Sequence, residues 1–84
     1  MKGLIKNYIN LLDVDRLKDF SIKNNINLTN SELEYLLNLV KSNFEDILKD
    51  DTKYLEDIKT NIKEYQKVKD LYLYYKNRYK GYLF

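Results

Sequence analysis

The side chains best suited to chemistry in this chain fall into two groups, three acidic pairs in the middle and a tyrosine-rich cationic stretch at the C-terminal end. Glu45 with Asp46, Asp50 with Asp51, and Glu56 with Asp57 would suit a divalent cation or general acid–base work if each pair converged on one point. Neighbouring residues on a helix do not face each other, so such pairs diverge. Asp13 and Asp15 begin the alternation of a calcium loop, but Leu17 stands where that loop needs a third oxygen ligand. Acids at helix starts have a simpler role, which is to cap exposed N–H groups. With no histidine and no cysteine in the chain, the usual zinc, haem and non-haem iron ligand sets and the usual nucleophile–base pairs are excluded. Ser21, Ser31 and Ser42 have no activating neighbour in the sequence. These residues therefore point to a protein that is not an enzyme and takes no cofactor and no metal.

The second group is richer. Leu71 to Phe84 holds five of the nine tyrosines, together with Lys76, Arg78 and Lys80, and contains no acid. At about 100° per residue, Tyr65, Val68, Tyr72, Tyr75 and Tyr79 form one stripe, the pattern of a buried helix face. Lys69, Leu73, Lys76 and Lys80 line one edge of that helix, and Tyr74 lies on the other with Lys63, Lys67 and Arg78. Leu73 and Tyr74 are thus apolar groups ringed by cations, an arrangement suited to an acidic protein surface, a phosphate backbone or anionic lipid. The candidate partner-binding residues are Lys69, Leu73, Tyr74, Lys76, Arg78 and Lys80, and the first of these edges is the expected contact surface.

Charge ranks the partners. The net charge is only +2, with thirteen acids and ten cations between Asp13 and Asp70 and purely cationic ends. That excess is small for nucleic-acid binding. A helix-turn-helix over Val14 to Lys41 would present Glu32 and Glu34 near phosphates, which opposes docking. A protein partner or a second copy of the chain is the leading expectation, and nucleic acid bound through the basic C-terminal helix with Lys2 and Lys6 is the alternative. Membrane attachment ranks last, because the tyrosines it would use are needed for the core.

The elements that must position these residues are helical throughout. Leu4, Tyr8, Ile9, Leu11 and Leu12 recur at helical spacing and stop before Asp13, which can cap a second helix carrying Val14, Leu17, Phe20 and Ser21. Asn24 and Asn25 tolerate left-handed geometry and end it, leaving Ile26 to Leu28 as a short extended link. Thr29 with Glu32 reads as a capping box, so a third helix starts there. Its apolar face runs through Leu33, Leu36, Leu37, Val40, Phe44, Ile47 and Leu48, with Leu33 to Phe44 as the expected core, and Tyr35 and Leu39 on a second face. Ser42 and Asn43 are poor helix formers and are expected to bend it. Asp50, Asp51 and Thr52 offer caps for a fourth helix with Leu55 and Ile58. Thr60 and Asn61 allow that helix either to continue or to restart; Asn61 with Glu64 reads as a second capping box, which favours a last helix from Ile62, with Gly81 as its stop. The expected architecture is a single all-α domain over residues 1–84, a compact bundle of four to five short helices.

No stretch of about 18 apolar residues is present to span a membrane, and Met1 to Leu12 lacks a signal peptide's continuous apolar core, so the expected location is the cytoplasm. Lys, Asn, Ile and Tyr are abundant while alanine and proline are absent, the mark of an AT-rich genome. Leu17-Lys18-Asp19-Phe20, the run Asn24-Asn25-Ile26-Asn27-Leu28-Thr29-Asn30-Ser31-Glu32, and Asn43-Phe44-Glu45-Asp46-Ile47-Leu48 resemble the YqfT-like family of small helical proteins from low-GC Gram-positive bacteria and mollicutes. The resemblance implies a cytoplasmic all-helical domain and assigns no functional residue.

Overall fold

Side chains that bond to their own backbone set most of the helix ends. The computed structural model describes residues 2–78, with side chains from Lys6 onward. Among them are five helices, α1 (Lys2–Leu11), α2 (Val14–Lys23), α3 (Asn30–Lys49), α4 (Thr52–Asn61) and α5 (Tyr65–Arg78), and no strand. Between α1 and α2, Asp13 Oδ1 accepts from the backbone N–H of Arg16 at 2.8 Å, while the Arg16 guanidinium donates back to the Leu11 carbonyl at 2.9 Å. One acid thus starts α2, and the arginine it holds closes α1.

Helix α2 ends in a Schellman motif. Asn25 takes φ 59°, its N–H reaches the Ile22 carbonyl at 3.0 Å, and the N–H of Ile26 reaches the Ser21 carbonyl at 2.9 Å. Ser21 is buried, and its hydroxyl donates to the Lys18 carbonyl at 2.8 Å, so it carries no unpaired polar group inward. Thr29 and Glu32 make both halves of the capping box, at 3.1 Å and 2.9 Å. Asn43 breaks α3 with φ −128° and ψ 18°, and its amide donates to the Leu39 carbonyl at 3.0 Å, replacing part of the bonding that the kink removes.

Helix α3 is the centre of the packing, touching α1, α2 and α4, while α5 packs on α4 and reaches α2 through Phe20 and Tyr75, whose rings lie 5.8 Å apart. The radius of gyration of 12.2 Å matches the ~12 Å expected of a folded chain this long. The core differs from the sequence expectation in composition. Leu33 and Leu36 are buried as expected, whereas Leu37, Val40 and Phe44 are half-buried, and Leu48, Ile26 and Ile62 complete the buried set. The two isoleucines lie in linkers. Two glutamates hold those linkers together: Glu32 Oε2 accepts from the N–H of Lys63 at 2.8 Å, and Glu64 Oε2 accepts from the N–H of Asn27 at 3.3 Å. Bonding to both Thr29 and Lys63 N–H groups lowers the Glu32 carboxyl below its ordinary value.

The sequence leaves open whether the chain breaks at Thr60 and Asn61; α4 and α5 are separate helices, and the chemistry of the break is not the expected capping box. Asn61 is the last residue of α4 and donates its amide to the Asp57 carbonyl at 2.8 Å instead of capping a following helix. With Glu64 engaged by Asn27 and Lys67, α5 begins at Tyr65 and not at Ile62.

Candidate functional site

Helix α5 has two faces, and the structure separates the candidate residues between them. Val68, Tyr72 and Tyr75 of the expected stripe are half-buried, as is Tyr65, and no residue of α5 is fully buried. Gln66, Lys67, Asp70, Tyr74, Asn77 and Arg78 are the exposed positions, a single stripe at helical spacing. Tyr79, Lys80, Gly81, Leu83 and Phe84 lie outside the described residues.

The edge expected to meet a partner is partly covered. Lys69, Leu73 and Lys76 are all half-buried. Lys76 Nζ donates to Asp51 Oδ2 at 2.6 Å, and the Tyr72 hydroxyl donates to the same oxygen at 2.9 Å. Asp51 sits just before α4, where a cap was expected, yet its side chain makes no cap bond; Asp50 Oδ1 instead accepts from the Thr52 N–H at 3.1 Å. The acidic pair therefore divides its roles, Asp50 supporting the helix start and Asp51 fastening α5 to the α3–α4 junction. Lys76 bonding holds the Asp51 carboxyl below its ordinary range, despite the opposing effect of burial. Burial, reinforced by the Asp51 carboxylate, pushes the Tyr72 phenol well above its ordinary value. Lys69 lies 5.9 Å from the centre of the Tyr65 ring, and Lys76 lies 6.0 Å from that of Tyr72, so both cations also meet aromatic rings of α5.

Tyr74, 53% exposed, and Arg78 are the described candidates that face outward. The Tyr74 ring meets Tyr75 edge-on at 5.3 Å, and Arg78 donates to the Tyr74 hydroxyl at 2.9 Å. Tyr75 in turn packs on Phe20, so a chain of rings supports the exposed tyrosine from beneath. Beside it, Lys67, Asp70, Leu71 and Tyr74 of α5 enclose an open hollow with Asn24, Asn25 and Ile26 from the end of α2. Lys67 Nζ bonds to the Asn25 carbonyl at 3.2 Å and pairs with Glu64 at 3.3 Å, which fixes the α2 end against α5. Ile22, 58% exposed, borders a second hollow that shares Ile26. No family model, no curated protein and no solved structure matches the chain.

The Schellman turn that brings Ile26 into this hollow was signalled in the sequence by Asn24 and Asn25. The pairing of that turn with Lys67 and Leu71, more than forty positions away, carried no local signal. Among the described residues, no three carboxylates gather as a metal cluster, and no helix is long and apolar enough to cross a membrane.

Proposed function

We propose that this protein is a non-enzymatic interaction module whose contact surface is the outward face of α5 around Tyr74. The observation that carries the reading is an exposed aromatic residue standing beside an open hollow with Ile26 and Leu71 in its lining. Tyrosine suits a contact of this kind, because it offers a large, stiff apolar area and a polar tip at low entropic cost. The hollow is open to solvent, which favours a side chain on a macromolecule over an enclosed small molecule.

A protein partner fits better than nucleic acid. A phosphate backbone needs cations that can reorganise around it, whereas Lys76 is committed to Asp51, Lys67 to Glu64 and Asn25, and Lys6 to Glu45 at 3.2 Å. In this reading Tyr74 and Arg78 are contact residues, Lys69, Leu73 and Lys76 hold α5 in place, and the module acts in the cytoplasm. The test is affinity capture from the native cells, with and without nuclease, using the wild type, Tyr74→Ala and Lys76→Met. Nuclease-resistant partners lost with Tyr74→Ala and kept with Lys76→Met support the reading. Partners retained by a folded Tyr74→Ala chain would place the contact surface elsewhere.

A further inference from the structure

We propose that α5 is a releasable strap, which lifts from α2 and α4 and unravels as a unit while the core around α3 stays folded, and that Asp51 is its latch. Such an opening is a property of the fold and does not depend on which surface meets a partner. Burial is uneven along the chain. Among the described residues the buried apolar side chains are Ile26, Leu33, Leu36, Leu48 and Ile62, all of them in α3 or in the two linkers. Helix α4 has none of its own but is bracketed by two of them, Leu48 ahead of it and Ile62 behind it. Helix α5 also has none, and follows Ile62 by three residues.

Polar bonds therefore carry much of its attachment. In the first turn, Lys67 Nζ donates to the Asn25 carbonyl at 3.2 Å from a side chain that is 58% exposed, a bond that water can replace at little cost. Further along, a single oxygen of Asp51 accepts from the Tyr72 hydroxyl at 2.9 Å and from Lys76 at 2.6 Å, and both bonds are shielded from solvent in part. One carboxylate thus fastens two turns of the helix. The Tyr75 ring adds its packing on Phe20.

Fourteen residues make a helix too short to persist alone in water, so α5 loses its own backbone bonds when it leaves its seat. Release is then a local order–disorder step, below the free energy of global unfolding. It uncovers Phe20 on α2 and bares the half-buried Val68, Tyr72 and Tyr75 of the strap. The cost of that exposure keeps the strap closed most of the time.

The test is amide hydrogen exchange of the full chain by NMR, with circular dichroism of every variant. In the wild type, α5 amides should exchange about tenfold or more faster than those around Leu36 in α3, and with a weaker dependence on urea, because a local opening exposes less surface. Asp51→Ala should speed exchange in α5 about tenfold and leave α3 within about twofold of wild type. The Asp51 side chain makes no cap bond to α4, so its removal acts on α5. Tyr72→Phe keeps the ring, removes one of the two bonds, and should speed α5 by a smaller factor. A wild type in which α5 and α3 exchange through one common opening overturns the proposal. So does an Asp51→Ala chain that speeds both helices equally, leaves α5 unchanged, or unfolds.

Discussion

Asp51 offers the most quantitative test of how α5 is held. One of its oxygens accepts from Tyr72 at 2.9 Å and from Lys76 at 2.6 Å, and the Asp51 and Lys76 side chains are 17% and 29% exposed. Hydrogen bonds to charged groups are worth about 1.5–3 kcal/mol when shielded, whereas exposed ion pairs give about 0–1 kcal/mol. This pair lies between those limits, so a double-mutant cycle of Asp51→Asn and Lys76→Met, followed by urea unfolding, should give a coupling of about 1–2 kcal/mol at neutral pH. The coupling should depend on pH with a defined sign. The folded carboxyl is lowered relative to its unfolded value near 3.9, so folding favours the ionised form. Its contribution is complete above the unfolded value and disappears as pH falls through the folded one. Tyr72 acts in the opposite direction, since its folded value is raised; its contribution holds below about pH 10 and is lost only as pH rises through the folded value. Asp51→Asn should remove the acid-side loss and diminish the alkaline one, leaving the part that burial of Tyr72 sustains. A coupling below about 0.3 kcal/mol, or one unchanged between neutral and strongly acidic solution, would refute the assignment of Asp51 as the fastening point.

Other substitutions probe separate parts of the fold. Leu33 is fully buried, so Leu33→Ala should cost about 2–5 kcal/mol in urea unfolding, and Leu37→Ala, at a half-buried position, should cost clearly less. Glu32 serves both Thr29 and Lys63, so Glu32→Ala should destabilise more than the about 1 kcal/mol expected for Thr29→Ala; equal denaturant midpoints would remove the linker role. The Tyr35 hydroxyl is shielded from solvent and makes no hydrogen bond among the described residues, while Asn61 beside it gives its amide to Asp57. Tyr35→Phe should therefore be neutral or stabilising by up to about 1 kcal/mol, and a loss of that size would reveal a bond to the hydroxyl.

What the sequence made legible was local. The Asp13 cap, the Thr29–Glu32 box and the Asn43 break are contacts between a side chain and backbone within about four positions, the Asn25 stop is a left-handed residue closed by short-range backbone bonds, and residue type at fixed spacing encodes them all. Ile26 and Ile62 escaped notice because periodicity identifies buried faces within helices and is silent about linkers. The bonds from Glu32 to Lys63, Glu64 to Asn27 and Asp51 to Lys76 span 31, 37 and 25 positions, and only the packing of the helices brings those partners together. The candidate site divided for the same reason. Spacing placed Lys76 and Tyr74 on opposite edges of α5, but which edge faces outward was decided by a carboxylate at the head of another helix.

The claim that the Tyr74 face is the contact surface is tested most directly by site-specific photocrosslinking in the native cells. A photoreactive phenylalanine analogue in place of Tyr74 keeps an aromatic ring at the outward face, and the same analogue in place of Lys69 samples the half-buried edge of α5. The account predicts covalent protein adducts from the first position and none from the second. Adducts from the Lys69 position with none from Tyr74 would contradict it.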